Sequence, residues 1–358
     1  MRICDVTPWA VSGLPDRDYT VDQRVEAGRA LDRLGVPLVG AGFPAAGDDE
    51  RETVRRLTDD LAADVVAACR TPTGEVEAAL ETGADVVEVT IPVSDVWLEH
   101  VLGCSRDEAF DRAEAAVLRA REGGVDVHLA LEDAFRAEVP AIAGAFGRFE
   151  CPVVLADSVG ARTPPFVAGF LRTLADASVD LTRAGVRFHD DLGCATANAL
   201  VAAETGIDRV DTSVAALGER AGTAATEEVV VAAHAGGTDA GVNVGETVPA
   251  CEDVLRALGE PAGERKAVLG ERATTLEVRA GTAAAVDDPS AFEPFDPEAF
   301  GSRRRLVFDE ATGADAARRL LERAGRDADP DTVQRLLERL SGAGAVELAE
   351  AVELAEDP

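Results

Sequence analysis

One lysine, Lys266, stands against 34 arginines in this chain of 358 residues. Schiff-base chemistry needs a lysine amine held in a pocket, and Lys266 falls outside every strand-like segment, which argues against an aldolase of that class. Aromatic residues are scarce too, at 4 %, so the 46 % apolar content is carried by Ala, Val and Leu. No apolar run approaches the ~18 residues of a membrane span, and no basic segment precedes an apolar core. Neither export nor membrane insertion is expected, and the predicted location is the cytoplasm. The six cysteines, Cys4, Cys69, Cys104, Cys151, Cys194 and Cys251, include no C-x-x-C pair and no zinc-type spacing. Cys4, Cys69 and Cys151 sit in apolar strand-like runs, where reduced, buried thiols are expected.

Acid is what the chain has in excess. Its formal net charge is −32, which opposes binding to nucleic acid or anionic lipid. Such a charge is self-repelling at low ionic strength. The composition therefore predicts a solvated acidic shell suited to molar salt, a halophilic pattern that says nothing about chemistry.

The length accommodates one large domain and a smaller C-terminal piece. Eight apolar runs recur: Arg2–Thr7, Pro37–Phe43, Val65–Cys69, Val86–Ile91, Val127–Asp133, Pro152–Asp157, Gly185–Asp190 and Arg209–Val214. They are rich in β-branched residues and lack alternation, as parallel strands covered on both faces should be. Amphipathic segments lie between them, including 21–34, 49–63, 106–121, 165–181 and 223–233. Thr20 and Thr163 read as helix starts, and Gly35, Gly83 and Gly206 as left-handed helix ends. The predicted class is α/β, a (β/α)8 TIM barrel over residues 1–237. A connector over 238–300 and a mainly helical subdomain over 301–358 should follow. Chemistry in such a barrel gathers where strands end, which singles out Asp5, Thr7, Arg70, Glu132, Ser158, His189 and Asp191 among others.

Two stretches are more specific. His189-Asp190-Asp191-Leu192-Gly193-Cys194-Ala195-Thr196-Ala197-Asn198 is followed by Leu217-Gly218-Glu219-Arg220-Ala221-Gly222. Together they resemble the paired signature H-x-H-N-D-x-G-x-A-x-A-N and G-x-G-E-R-A-G of the 2-isopropylmalate, homocitrate and citramalate synthases, within the DRE-TIM metallolyases. Ala41-Gly42-Phe43-Pro44-Ala45-Ala46, Leu131-Glu132-Asp133-Ala134-Phe135-Arg136 and Ala156-Asp157-Ser158-Val159-Gly160 resemble further blocks of that family. Pro294–Arg305 with Ala311-Thr312-Gly313 extends the likeness towards the C-terminus, and the layout is similar to the shorter homocitrate synthases.

The resemblance implies acetyl-CoA as co-substrate, a 2-oxo acid as acceptor and a divalent metal acting as Lewis acid. Asp5–Gly13 occupies the place of the family's D-x-T-L-R-D-G-E-Q, with Trp9 where the carbonyl-polarising Arg belongs and Ala10 where a metal-binding Asp belongs. The first His of the H-x-H pair is Arg187, which cannot ligate. Leu276–Gly281 stands where a G-I-H motif supplies a further His, and contains none. His189 and Asp5 are the candidate metal residues that remain, and three readings stay open. Asp5, Asp190 or Asp191 could rebuild an oxygen-rich site around His189. Arg187 could sit where the cation sat and bind the substrate itself. The third reading is a mouth that holds salt bridges only.

By the same resemblance Glu132 belongs to the proton-transfer network, or else pairs with Arg136 or Arg70. Ser158 and Arg70 are candidate carboxylate binders, Thr7 is expected on the substrate side, and Gly218, Glu219 and Arg220 suit a phosphate-type or acyl-CoA contact, or else form a tight turn the fold needs. Glu132 and Arg187 are the expected catalytic residues. His100, His128 and His234 share no ligand spacing and are expected at the surface or satisfied in the core. The implied activity is condensation of acetyl-CoA with a 2-oxo acid, by a homodimer or by a heteromer with a related synthase. The alternative is a catalytically degenerate paralogue that acts as a ligand-binding or regulatory partner subunit.

Overall fold

A computed structural model describes residues 1–358, which form two compact units, Met1–Pro261 and Ala262–Pro358. In the first unit eight parallel strands close on themselves in chain order. They are β1 (Arg2–Asp5), β2 (Leu38–Gly42), β3 (Asp64–Cys69), β4 (Val86–Pro92), β5 (Asp126–Glu132), β6 (Val153–Asp157), β7 (Ala184–Phe188) and β8 (Arg209–Thr212). Closure is made by β1 on β8, with Cys4 opposite Asp211 and Asp5 opposite Thr212. Eight helices alternate with them: α1 (Val21–Leu34), α2 (Asp48–Asp60), α3 (Thr73–Leu80), α4 (Arg106–Glu122), α5 (Val139–Arg148), α6 (Pro164–Asp176), α7 (Ala195–Glu204) and α8 (Thr226–Ala235). This is the expected (β/α)8 barrel.

Local chemistry fixes the element ends. The Thr20 hydroxyl accepts from the Gln23 amide while the Gln23 side chain returns to the Thr20 amide, a reciprocal cap at the start of α1. Gly35 ends that helix at φ 83°, a left-handed geometry that costs glycine nothing. Thr163 also precedes a helix, but its side chain makes no capping bond. The strands are buried on both faces. Val65, Val87, Leu129, Val153 and Val186 pack outward into the shell beneath the helices. A smaller cluster of Cys4, Leu38, Val66 and Val86 is built from alternate positions of β1 to β4.

The boundaries depart from the expectation of a connector starting at residue 238. Helix α9 (Thr247–Leu258) belongs to the first unit, burying Val248, Cys251, Val254 and Leu258, and Gln23 of α1 donates to the Ala257 carbonyl in this region. The second unit is not helical alone. It contains β9 (Thr275–Glu277), β10 (Arg305–Phe308) and β11 (Val346–Glu347) in the order β11-β10-β9, with three helices. Val278, Ala285 and Val286, assigned to the connector by sequence, share a core with Leu320 and Leu336. All six cysteines are unpaired, and Cys4, Cys69 and Cys151 are buried.

Candidate active site

The strand ends surround a cavity of about 580 Å³. Of the sequence-predicted site residues, Arg70, Glu132, Ser158, Arg187, His189, Gly218, Glu219 and Arg220 line it together; Thr7 and Asp5 do not. Thr7 is fully buried and its hydroxyl accepts from the Val214 amide at 2.9 Å. Asp5 is buried beside it. One carboxylate oxygen accepts from the Thr7 amide at 2.8 Å and the other from the Thr226 hydroxyl at 2.5 Å. Burial pushes its pKa up to about 6, against those hydrogen bonds. Both residues lock the end of β1 onto β8 and α8 and do not meet the cavity.

Arg187 is the electrostatic centre of the floor. Its Nε donates to Asp211 at 2.8 Å and its Nη2 reaches Glu88 at 2.7 Å and Asp211 at 2.6 Å. Arg209 pairs with the same two carboxylates, at 2.9 Å from Glu88 and 2.6 Å from Asp211. Its Nη1 lies 2.8 Å from His128 Nδ1. Glu88 stands on β4 and Arg187 on β7, strands that are not neighbours, so this contact crosses the barrel interior. Two cations balance two anions there. Burial alone would raise the Glu88 carboxyl, but the two guanidiniums outweigh it and hold the group ionised. Burial and then Arg209 depress His128 to about 4, so it is a neutral acceptor.

Trp9 covers this network. Its ring centroid is 4.4 Å from the Arg187 guanidinium carbon, and Phe43 meets the Trp9 ring edge-on at 5.1 Å. The positions expected to hold the family's Arg and metal-binding Asp thus present an indole and a methyl group. Arg187 Nη1 makes no hydrogen bond and is not enclosed, which leaves one guanidinium edge open to the cavity.

Glu132, at the end of β5, makes neither of the salt bridges considered for it. Arg136 pairs with Asp133 at 2.7 Å and Arg70 with Glu75 at 2.8 Å. The Glu132 carboxylate has no protein hydrogen bond, and desolvation raises its pKa despite the attraction of Arg187. Ser158 accepts from the Asp133 amide at 2.9 Å, which leaves its own hydroxyl proton to donate. The loop after β8 is held in unusual backbone, with positive φ at Ala215, Ala216, Gly218, Arg220 and Gly222. Arg220 ties it across the mouth to Asp191 at 2.8 Å and to the Ser158 carbonyl at 2.9 Å.

These residues do not fit a catalytic divalent cation. Such an ion needs about three converging protein ligands, and no group of three His, Cys, Asp or Glu side chains is placed to provide them. His189 has a buried Nδ1 without a partner, and burial followed by Arg220 and Arg187 lowers its pKa to about 4. Its companions are otherwise engaged: Asp190 accepts from the Ala195 amide at 2.7 Å and Asp191 holds Arg220. The oxygen-rich site considered from sequence is not assembled.

Sequence reasoning missed Glu88 and Asp211 as partners of Arg187, Arg209 as the second cation on the same carboxylates, and Phe43 and Trp97 as cavity walls. A charged residue inside an otherwise apolar strand, as in Val87-Glu88-Val89, was the available signal for the former.

Residues 1–254 match the HMGL-like family. The chain is similar to homocitrate synthase AksA of Methanopyrus kandleri, 35 % identical over 336 residues that cover 92 % of this chain and 84 % of that protein. It is also similar to the putative (R)-citramalate synthase CimA of the same organism, 33 % identical over 352 residues, 96 % of this chain and 69 % of that one. Among solved structures it shares the fold of the Bacillus subtilis HMG-CoA lyase, with a TM-score of 0.66 at 20 % identity over 74 % of this chain and 95 % of that chain.

Proposed function

This chain belongs to the HMGL-like family, and from that premise we propose that it condenses acetyl-CoA with a 2-oxo acid without a divalent cation. The observation that carries this reading is the seating of Arg187. A guanidinium is fixed on Glu88 and Asp211, covered by Trp9, and open to the cavity at Nη1. In that cavity Glu132 is a carboxylate with no protein partner and a raised pKa.

Glu132 takes a proton from the acetyl methyl group, and the resulting carbanion attacks the ketone carbon. Negative charge then gathers on the former ketone oxygen, where the Arg187 Nη1–H group stabilises it until the proton held by Glu132 returns to that oxygen and gives the alcohol. Because the guanidinium is already held by two carboxylates, it needs no reorganisation as that charge appears. The Ser158 hydroxyl and Arg70 hold the acid's carboxylate, and the strained loop at Gly218, Glu219 and Arg220 holds the thioester. Water then cleaves the thioester and frees the CoA thiol. The acidic surface fits work in molar salt, and the subunits pair as a homodimer or with a related synthase.

A second reading has its own observation. Each arginine of the mouth is already paired, Arg70 with Glu75, Arg220 with Asp191 and Arg187 with Glu88 and Asp211. A mouth neutralised in this way could bind ligands as a partner subunit without turning them over. The deciding experiment is CoA-thiol release in molar KCl from acetyl-CoA and a panel of 2-oxo acids, with Mg²⁺, Mn²⁺ or chelator. Release indifferent to chelator and abolished by Arg187→Ala supports the metal-free synthase. Chelator-sensitive release contradicts it, and silence from folded protein favours the partner subunit.

A further inference from the structure

We infer that the acceptor taken by this mouth is a monocarboxylic 2-oxo acid with an apolar side chain, and not a dicarboxylic one; the inference rests on the synthase reading above. Two features of the cavity carry it, one of shape and one of charge.

The chain has two tryptophans in 358 residues, and both line this cavity. Trp9 and Trp97 are joined there by Phe43 and Val6. Phe43 packs edge-on against Trp9, so these two rings form one continuous wall. In a protein with so few aromatic residues, this is a concentrated apolar surface. It can take methyl and methylene groups out of water. A carboxylate laid against the same wall would lose hydration without gaining a donor.

Charge points the same way. Four glutamates line the cavity, Glu50, Glu75, Glu132 and Glu219, against three arginines; Glu50 is neutralised from behind by Arg24 and Glu75 by Arg70, which leaves Glu132 without a partner. Arg70 and Arg220 are each held by an acidic partner, and Arg187 by two. One carboxylate can be met by the Ser158 hydroxyl and an arginine edge. A second would find no uncommitted cation and would face Glu132. Apolar wall and absent second cation together select against 2-oxoglutarate and oxaloacetate.

The test compares kcat/KM for pyruvate, 2-oxobutyrate, 2-oxoisovalerate and 2-oxoisocaproate with that for 2-oxoglutarate and oxaloacetate, using the full chain in molar KCl with acetyl-CoA. Binding is followed in parallel by tryptophan fluorescence, since both reporters sit in the cavity. The expected result is an advantage of at least about 100-fold for the best apolar acid over either dicarboxylate, the scale of discrimination a hydrophobic pocket achieves. Trp97→Arg should narrow that gap about tenfold or more by helping 2-oxoglutarate, whereas a merely structural role would depress all acids alike. Preference for a dicarboxylate overturns the inference and leaves the synthase reading standing. Quenching by apolar acids without turnover preserves the inference and removes the synthase reading. Absence of both quenching and turnover with every apolar acid overturns the inference.

Discussion

Arg187 and Glu132 make opposite demands on their surroundings: the first is held by every carboxylate within reach, the second by nothing. Removing the Arg187 head group leaves Glu88 and Asp211 with one guanidinium between them. Arg187→Ala should therefore cost about 3–5 kcal/mol of folding stability, read by denaturant unfolding, so its loss of activity must be scored on protein shown to be folded. Glu132→Gln keeps shape and removes the base. It should lower kcat by roughly 10²–10⁴-fold with little change in unfolding midpoint. In the unsubstituted protein the rate should fall with decreasing pH at a value above the ordinary carboxylate range, because burial raises the Glu132 pKa and the base must be ionised. Two other groups shape stability against pH. His128 falls from 6.5 to about 4 on folding, so the unfolded chain binds more protons between those values. Stability attributable to it, about 3 kcal/mol at neutral pH, is lost as pH drops through that window, and His128→Gln should remove that loss. Asp5 rises from 3.8 to about 6 and works in the other sense, favouring the fold below about pH 4 and withdrawing that support as pH climbs past 6. Unfolding free energies at pH 4.5 and 7.5 for each variant separate the two. At this scale the sequence disclosed that Arg187 is not a ligand, but not what it does. Its partners lie 99 and 24 residues away: Asp211 stands opposite it on the neighbouring β8, and Glu88 on β4 meets it only across the closed barrel.

The strands of the barrel were legible because each is apolar, β-branched and bounded by turn residues. Helix α1 was legible to its last residue, since Thr20 and Gly35 mark both ends chemically. Capping energy gives a direct check: Thr20→Ala should cost about 1 kcal/mol in thermal unfolding. The loop after β8 permits a sharper one. A Cβ on Gly222 would lie 1.6 Å from the Ala216 carbonyl oxygen at a φ of +83°. Gly222→Ala should therefore rearrange the segment that carries Gly218, Glu219 and Arg220, weakening acetyl-CoA binding at least about tenfold by calorimetry, an affinity change near 1.4 kcal/mol. Gly144→Ala, inside α5, meets no atom within 4 Å and has ordinary helical backbone, and serves as control. The second unit was read less well. Its strands are two to four residues long, too short to show a period. The helical segment 247–258 was folded into the connector because Pro249 and the glycines before it resemble loop punctuation, whereas its apolar face at Val248, Cys251, Val254 and Leu258 is buried in the first unit.

At the scale of the whole chain the net charge of −32 dominates. Most arginines form ion pairs, several with partners three residues away such as Arg29 with Glu26, Arg51 with Asp48 and Arg318 with Asp315. Exposed pairs of this kind contribute little individually and leave the excess acid unopposed. The Debye length contracts from about 30 Å at 0.01 M salt to about 3 Å at 1 M, so repulsion between distant carboxylates should collapse over that range. The thermal midpoint should rise steeply with KCl and much less with sucrose at matched osmolality. A midpoint insensitive to KCl would contradict the salt-adapted reading.

The network beneath Trp9 also bears on which substitutions this barrel can accept. Arg187→His would leave Glu88 and Asp211 on Arg209 alone. That substitution alone therefore gives a less stable protein. Position 187 is thereby tied to residues 88 and 211, and can change without loss only together with them.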